Sequence, residues 1–171
     1  MATAKARIGL KKVEIGDVAG DGGMGTALTE VGATVSDTCL FSTGDPNETD
    51  FSIEESTIPF HTETTPGKIV LTWSSYNVEP ASLVPVMGGS VTTDASGNSV
   101  YSAPNEQTSV EKSVKCTMKD NTVLAVPRGK LFAKLQYNFQ RTKLAQVDFT
   151  YTVLIPTKAN TAPYTITTPA S

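Results

Sequence analysis

Histidine, cysteine and tryptophan are almost missing from this chain: one His, two Cys and one Trp in 171 residues. A lone His61 leaves no room for a His-rich metal site. A triad built on it needs an activated nucleophile and an acid, and no nucleophile-elbow pattern is present. Cys39 and Cys116 lie far apart, with neither metal nor redox spacing, among strand-like residues where buried free thiols are expected. A chain of this size buries roughly 70% of its unfolded surface and needs no disulfide framework. No apolar run approaches the length of a membrane span, and the N-terminal MATAKARIGLKKVEI lacks the apolar core of a signal peptide, so a soluble protein made in the cytoplasm is expected. Charge is sparse too, at 18% of residues and a net −3, which speaks against gripping nucleic acid by phosphate neutralisation. Lys and Arg are absent between Lys12 and Lys68, whereas Glu14, Asp17, Asp21, Glu30, Asp37, Asp45, Glu48, Asp50, Glu54, Glu55 and Glu63 all fall there. Most basic residues lie in the C-terminal half, an asymmetry suited either to an acidic face meeting a basic face on a neighbouring copy or to two separately solvated surfaces.

What is abundant is Thr, Val and Ser, a composition for strands. The clearest element runs from Pro127 to Ile155. Leu131, Ala133, Leu135, Tyr137 and Phe139 alternate with Phe132, Lys134, Gln136 and Asn138; after a break at 140–143, Ala145, Val147, Phe149, Tyr151, Val153 and Ile155 alternate with Gln146, Asp148, Thr150 and Thr152. Period-two alternation reads as a long antiparallel hairpin with one buried apolar face and one polar face in water. A one-residue slip would exchange the faces, so the register is strongly specified.

Elsewhere, strands are expected at Arg7–Ile15, Thr34–Phe41, DFSIEES, Ile69–Trp73, Ser109–Met118 and Thr122–Val126, with a hairpin joining Ser90–Thr93 to Ser99–Ser102. GDVAGDGGMGTAL and STGDPNETD read as loops. One short helix is expected after Asn77, with Pro80 in its first turn, Leu83, Val86 and Met87 as its apolar stripe, and Gly88-Gly89 as its stop; Pro85 limits it to two or three turns. The fold class is mostly β, a β-sandwich or barrel with one short flanking α-helix. Residues 1–155 form a single domain, and 156–171 a Thr- and Pro-rich C-terminal tail, disordered or docked on a neighbour.

Short motifs carry little chemistry. Gly20, Gly22 and Gly25 match G-x-G-x-x-G literally, but TALTEVGATV follows where a helix must begin, so a surface loop is expected. The calcium-loop likeness starting at Asp45 places Asp50 where glycine is needed and Ser56 where an acid is needed. Asn47-Glu48-Thr49 is a glycosylation sequon without a secretory signal. Glu54 and Glu55 point to opposite faces of a strand and make no acid–base pair. Trp73 and Tyr76 fit core packing better than a ligand shelf. Nothing supports an enzyme.

The order of elements points further. FSIEES, then PGKIVLTWSSYNVEPASLVPVMGG, then VLAVPRGKLFAKLQYNFQ together resemble the major tail tube proteins of tailed bacteriophages, most of all the long, non-contractile kind, over roughly Phe51 to Ile155. VPRGKLFAKL and the helix–GG unit carry the most specific part of the likeness. The resemblance implies a fold shared with the tubes of contractile injection machines, in which six subunits join their sheets into a ring with a central β-barrel and rings stack into a tube. It implies a virion structural protein without cofactor, made in the host bacterial cytoplasm and resident in the virion tail. Its partners would be itself, in stacked homo-hexameric rings, and tail tip and terminator proteins; DNA would pass through without specific binding, and no membrane is involved. On that picture Lys134, Gln136, Asn138, Gln146, Asp148, Thr150 and Thr152 line the lumen, with Lys134 the least suited to sliding phosphates unless it pairs with Asp148. The loop Gly44, Asp45, Pro46, Asn47, Glu48 and Thr49, and the glycine-rich loop, would order against the adjacent ring. Two other readings stay open: a tube protein of a bacterial contractile injection or secretion system, with the same fold, and a monomeric β-sandwich binding or decoration module. The latter calls for clustered solvent-facing aromatics, whereas most aromatics here alternate at core positions.

Overall fold

A computed structural model describes residues 6–106 and 108–170. In chain order the elements are β1 (Leu10–Gly16), β2 (Leu28–Glu30), β3 (Leu40–Thr43), β4 (Asn47–Phe51), β5 (His61–Thr65), β6 (Ile69–Ser75), α1 (Pro80–Met87), β7 (Ser90–Thr93), β8 (Ser99–Ser102), β9 (Val110–Met118), β10 (Val123–Gln136), β11 (Gln146–Val153) and β12 (Thr165–Thr167). The fold is mostly β with one short helix, as the composition implies. Eight strands form one sheet, ordered β2-β1-β9-β10-β11-β6-β3 with β12 also on β10, and the sheet curls into a half-barrel. The hairpins β4–β5 and β7–β8 stand apart from it as two-stranded ribbons.

The long hairpin is β10–β11, and its faces follow the alternation. Leu131 lies opposite Tyr151, Ala133 opposite Phe149 and Leu135 opposite Val147. Leu131, Ala133, Val147, Phe149 and Tyr151 enter one core with Val13, Val114, Cys116, Val126, Leu71, Trp73, Leu83 and Val86. Fully burying side chains of this size contributes about 1.5–3 kcal/mol each, which makes this face the main source of cohesion. Trp73 stacks on Phe149 with ring centroids 4.8 Å apart, so it is a core residue and no ligand shelf.

Three features of β10 go beyond the alternation. The segment Thr122–Val126 and the first arm of the hairpin are one strand of 14 residues. Pro127, which has no N–H to give a ladder, sits where the register against β9 shifts between Val126 and Gly129; a bulge is where a central strand tolerates proline. Tyr151 lies across Gly129: a Cβ there would come within 2.2 Å of the Tyr151 ring, and the hydroxyl beyond it donates to the Lys112 carbonyl on β9 at 2.7 Å.

Several expectations are corrected. Strand pairing ends at Gln136, so Tyr137 and Phe139, expected in the buried row, are exposed in the connection, Phe139 at 96%. Ile155, expected on the same row of the second arm, is exposed as well. Residues 34–39 form no strand: Thr34 makes a single bridge to Ser75, Asp37 has a positive φ, and Thr38 donates its hydroxyl to the Val35 carbonyl at 2.7 Å, a local turn that competes with a ladder. DFSIEES likewise stops being strand at Phe51; Ser56 bonds back to the Ile53 carbonyl and its hydroxyl accepts from the Ile58 N–H. The C-terminal segment, expected to be disordered or docked on a neighbour, returns to its own sheet, pairing Thr165–Thr167 with Val123–Ala125 while Tyr164 packs edge-on against Phe41.

The helix is as expected: Pro80 opens it, Leu83 and Val86 are buried, and Gly88 at φ 75° closes it with its N–H on the Val84 carbonyl. Its two turns cover the core beside β10 and the β7–β8 ribbon.

Candidate functional site

The candidate surfaces are the polar face of the sheet and what projects beyond it. Across β10, β11, β6 and β3 the side chains opposite the core are set by register. Lys130, Phe132, Lys134 and Gln136 face Thr152, Thr150, Asp148 and Gln146 across the β10–β11 ladder. Thr152, Thr150 and Asp148 in turn face Val70, Thr72 and Ser74 on β6, and Val70 and Thr72 face Ser42 and Leu40 on β3. Small hydroxyl and amide side chains dominate this wall.

Six of the seven residues expected on the polar face belong to these strands: Lys134 and Thr150 exposed, Gln136, Gln146, Asp148 and Thr152 half-buried. Asn138 lies beyond the end of β10, where its amide donates to the Leu144 carbonyl at 3.0 Å and braces the turn. Lys134 does stand opposite Asp148 in register. No ion pair forms there: the Asp148 Oδ1 accepts from Ser74 at 2.6 Å and Gln146 at 2.8 Å, and Lys134 has no carboxylate partner among the described residues. At the β9 end of the same face Arg128 forks onto Glu111 at 2.8 and 2.9 Å. That hydrogen-bonded pair holds the Glu111 carboxyl below the usual range and pushes the Arg128 guanidinium up.

The segment Gly44–Thr49 is no free loop. Gly44, Asp45 and Pro46 form the base of the β4–β5 hairpin, with the Gly44 N–H on the Lys68 carbonyl at 2.8 Å. Asn47, Glu48 and Thr49 are the first half of β4, opposite Thr65, Thr64 and Glu63. Each residue of β4 and β5 is exposed, and the two strands pair only with each other. Turn formers at 44–47 signalled a connection; they gave no sign that an exposed ribbon begins within it, because Asn47–Phe51 alternates no hydrophobics against a core.

The glycine-rich segment is a loop, as expected, and it packs on its own chain. Asp21 caps the Gly23 N–H at 2.9 Å and pairs with Lys158 at 2.7 Å, and these bonds lower its carboxyl pKa, Lys158 contributing most. Gly22, at φ 80°, presses against Thr157 so closely that a Cβ would collide. The Gly25 N–H donates to the buried Ser113 hydroxyl at 2.9 Å, which itself donates to the Pro127 carbonyl in the bulge at 2.5 Å. The loop is thus a plug over the bulge, and β2 follows it, not a phosphate-facing helix.

Residues of possible function that alternation did not reveal are the exposed apolar ones: Phe51, Ile53, Ile58 and Phe60 at the β4–β5 tip, and Tyr137, Phe139 and Leu144 at the β10–β11 connection. Tyr137 and Phe139 stack with centroids 6.4 Å apart. His61, opposite Phe51, stacks on it at 6.0 Å. Among the described residues no three His, Cys, Asp or Glu side chains are grouped to hold a metal ion, and no helix is long and apolar enough to cross a membrane. No protein-family model matches this chain, and no curated protein matches it in sequence.

Proposed function

We propose that this chain is a self-assembling structural subunit, the tail tube protein of a tailed bacteriophage, whose copies join sheets into stacked hexameric rings through which DNA passes. The observation that supports this most is the four-stranded polar wall: Thr, Ser and Gln side chains on a curled sheet whose other face is the core. Such a wall, repeated around a ring, offers duplex DNA mostly hydroxyl and amide groups, with Lys130 and Lys134 its cations, so phosphates meet more water and weak hydrogen bonds than fixed charge. The curl also stops short of closure. β2 and β3 remain edge strands, and joining edges between subunits is one way a half-barrel removes them. On this reading Gln136, Gln146, Asp148, Thr150 and Thr152 line the lumen, and Lys134 is the one free cation among the seven expected lining residues. The β4–β5 hairpin, which Gly44–Thr49 open at its base, reaches the next ring. A tube from a bacterial contractile injection or secretion system would use the same surfaces.

The stacked, exposed Tyr137 and Phe139 favour a second reading, a monomeric surface-binding module. Negative-stain microscopy of the purified protein, fresh and after concentration, separates the two. Hollow rings or tubes of uniform width are expected. Compact particles at every concentration, unchanged when a tail-tip complex is added as nucleus, would refute assembly and leave the binding module.

A further inference from the structure

The β4–β5 hairpin carries its apolar residues outward. Phe51 and Ile53 lie on one side of the turn and Ile58 and Phe60 on the other; the last two are 74% and 78% exposed. The Phe60 N–H donates to the Phe51 carbonyl at 2.8 Å, so the tip is closed and its side chains are displayed. A ribbon of this kind held in water by nothing but its own ladder is marginal, and apolar residues concentrated at its end mark a contact surface.

The same chain has a cleft that suits this tip. At the end of the curl where β1 begins and β9 ends, a cavity of about 550 Å³ opens between Leu10, Met118 and Leu124 on one side and Val35, Cys39 and Phe41 on the other. Clefts of roughly 300–1,000 Å³ hold drug-sized groups, so two or three side chains such as Ile58 and Phe60 have room. Charge is complementary as well. Asp45, Glu48, Asp50, Glu54, Glu55 and Glu63 make the hairpin strongly acidic, with no Lys or Arg in it. At the cleft, Lys11 and Lys119 are exposed and neither has a carboxylate partner among the described residues. Glu30 and Asp37 also line the cleft, so the attraction is confined to the β1–β9 side, where both lysines stand.

We infer that the tip of the hairpin, residues 51–60, seats in this cleft on a second copy of the chain, with Glu54 and Glu55 against Lys11 and Lys119. The inference rests on the reading of the protein as a self-assembling subunit and supplies it with a contact. Tip and cleft are different patches, so the contact is heterologous: it propagates into a ring or a filament unless one patch is blocked.

Full-length variants test this pairwise. One chain carries Ile58→Asp with Phe60→Asp, which spoils the tip and leaves the cleft. The other carries Lys11→Glu with Lys119→Glu, which spoils the cleft and leaves the tip, plus Cys39→Ser. All four reversed or inserted charges replace exposed residues, and circular dichroism of each variant verifies folding. Cys39 of the first chain, half-buried in the cleft, then reports occupancy through its rate of reaction with a thiol reagent. Neither variant alone should associate through this contact, so each should form smaller species than the wild type by sedimentation. Mixed, they should associate through one tip and one cleft, and excess second chain should slow Cys39 labelling at least tenfold. An unchanged rate, or a tip variant that assembles like the wild type, overturns the inference. Because labelling needs no tube, its outcome is separate from microscopy: protection without tubes retains the contact and removes the tube, and tubes without protection do the reverse.

Discussion

Replacing Gly129 with alanine should destabilise the protein, even though alanine suits a strand better than glycine. The reason is the ring of Tyr151. A Cβ at position 129 would stand 2.2 Å from the ring's Cζ and 2.6 Å from the hydroxyl oxygen, where ordinary contact needs about 3.5–4 Å. Tyr151 is fully buried, and its hydroxyl is committed to the Lys112 carbonyl at 2.7 Å, so the ring moves only by straining the core and giving up that bond. Overpacking costs ~1–3 kcal/mol, and the lost bond adds about 1 kcal/mol. The restriction that alanine places on the unfolded chain offsets ~0.4–1 kcal/mol of this. The net expectation is a loss of roughly 1.5–3 kcal/mol. Urea unfolding followed through the single tryptophan, Trp73, buried against Phe149, reads it as a midpoint lowered by about 1 M. The decisive arm is the same substitution in a Tyr151→Val background. With the ring gone, Gly129→Ala should turn stabilising by ~0.4–1 kcal/mol, a coupling of about 2–4 kcal/mol between the two positions. An equal cost in both backgrounds would refute the argument that the ring dictates the glycine.

Two further substitutions follow from the same region. Ser113→Ala strands both the Gly25 N–H and the Pro127 carbonyl; the expected loss is ~1–3 kcal/mol, with faster hydrogen exchange in residues 19–25 by mass spectrometry, and protection equal to wild type would show that the loop is held otherwise. Tyr151→Phe should flatten the alkaline limb of the stability curve. Burial pushes the Tyr151 hydroxyl well above its ordinary value, so above pH ~10 the unfolded chain loses a proton that the folded chain keeps, and stability falls as pH rises; a Phe variant with an unaltered slope between pH 9.5 and 11 would assign that slope to another group.

The residues that alternate between Leu131 and Gln136, and again between Val147 and Val153, determined their own pairing, register and facing, because the two faces of a strand differ by several buried side chains and a one-residue slip exposes them all. The helix was equally local: Pro80, the Leu83–Val86 stripe and Gly88 each act within one or two turns. Tyr137 and Phe139 continue the same alternation and are nevertheless exposed, since a strand exists only as far as its partner does, and the partner begins at Gln146. Tertiary structure alone decided three other matters. Thr165–Thr167 has no hydrophobic pattern; it is a strand because the lower half of β10 lacked a neighbour on that side. The glycine-rich loop is a plug because Ser113 and the Pro127 bulge lie beneath it. And Gly129, unremarkable in the sequence, is required by an aromatic ring that arrives from β11, 22 positions later in the chain, a distance across which composition and periodicity carry no information.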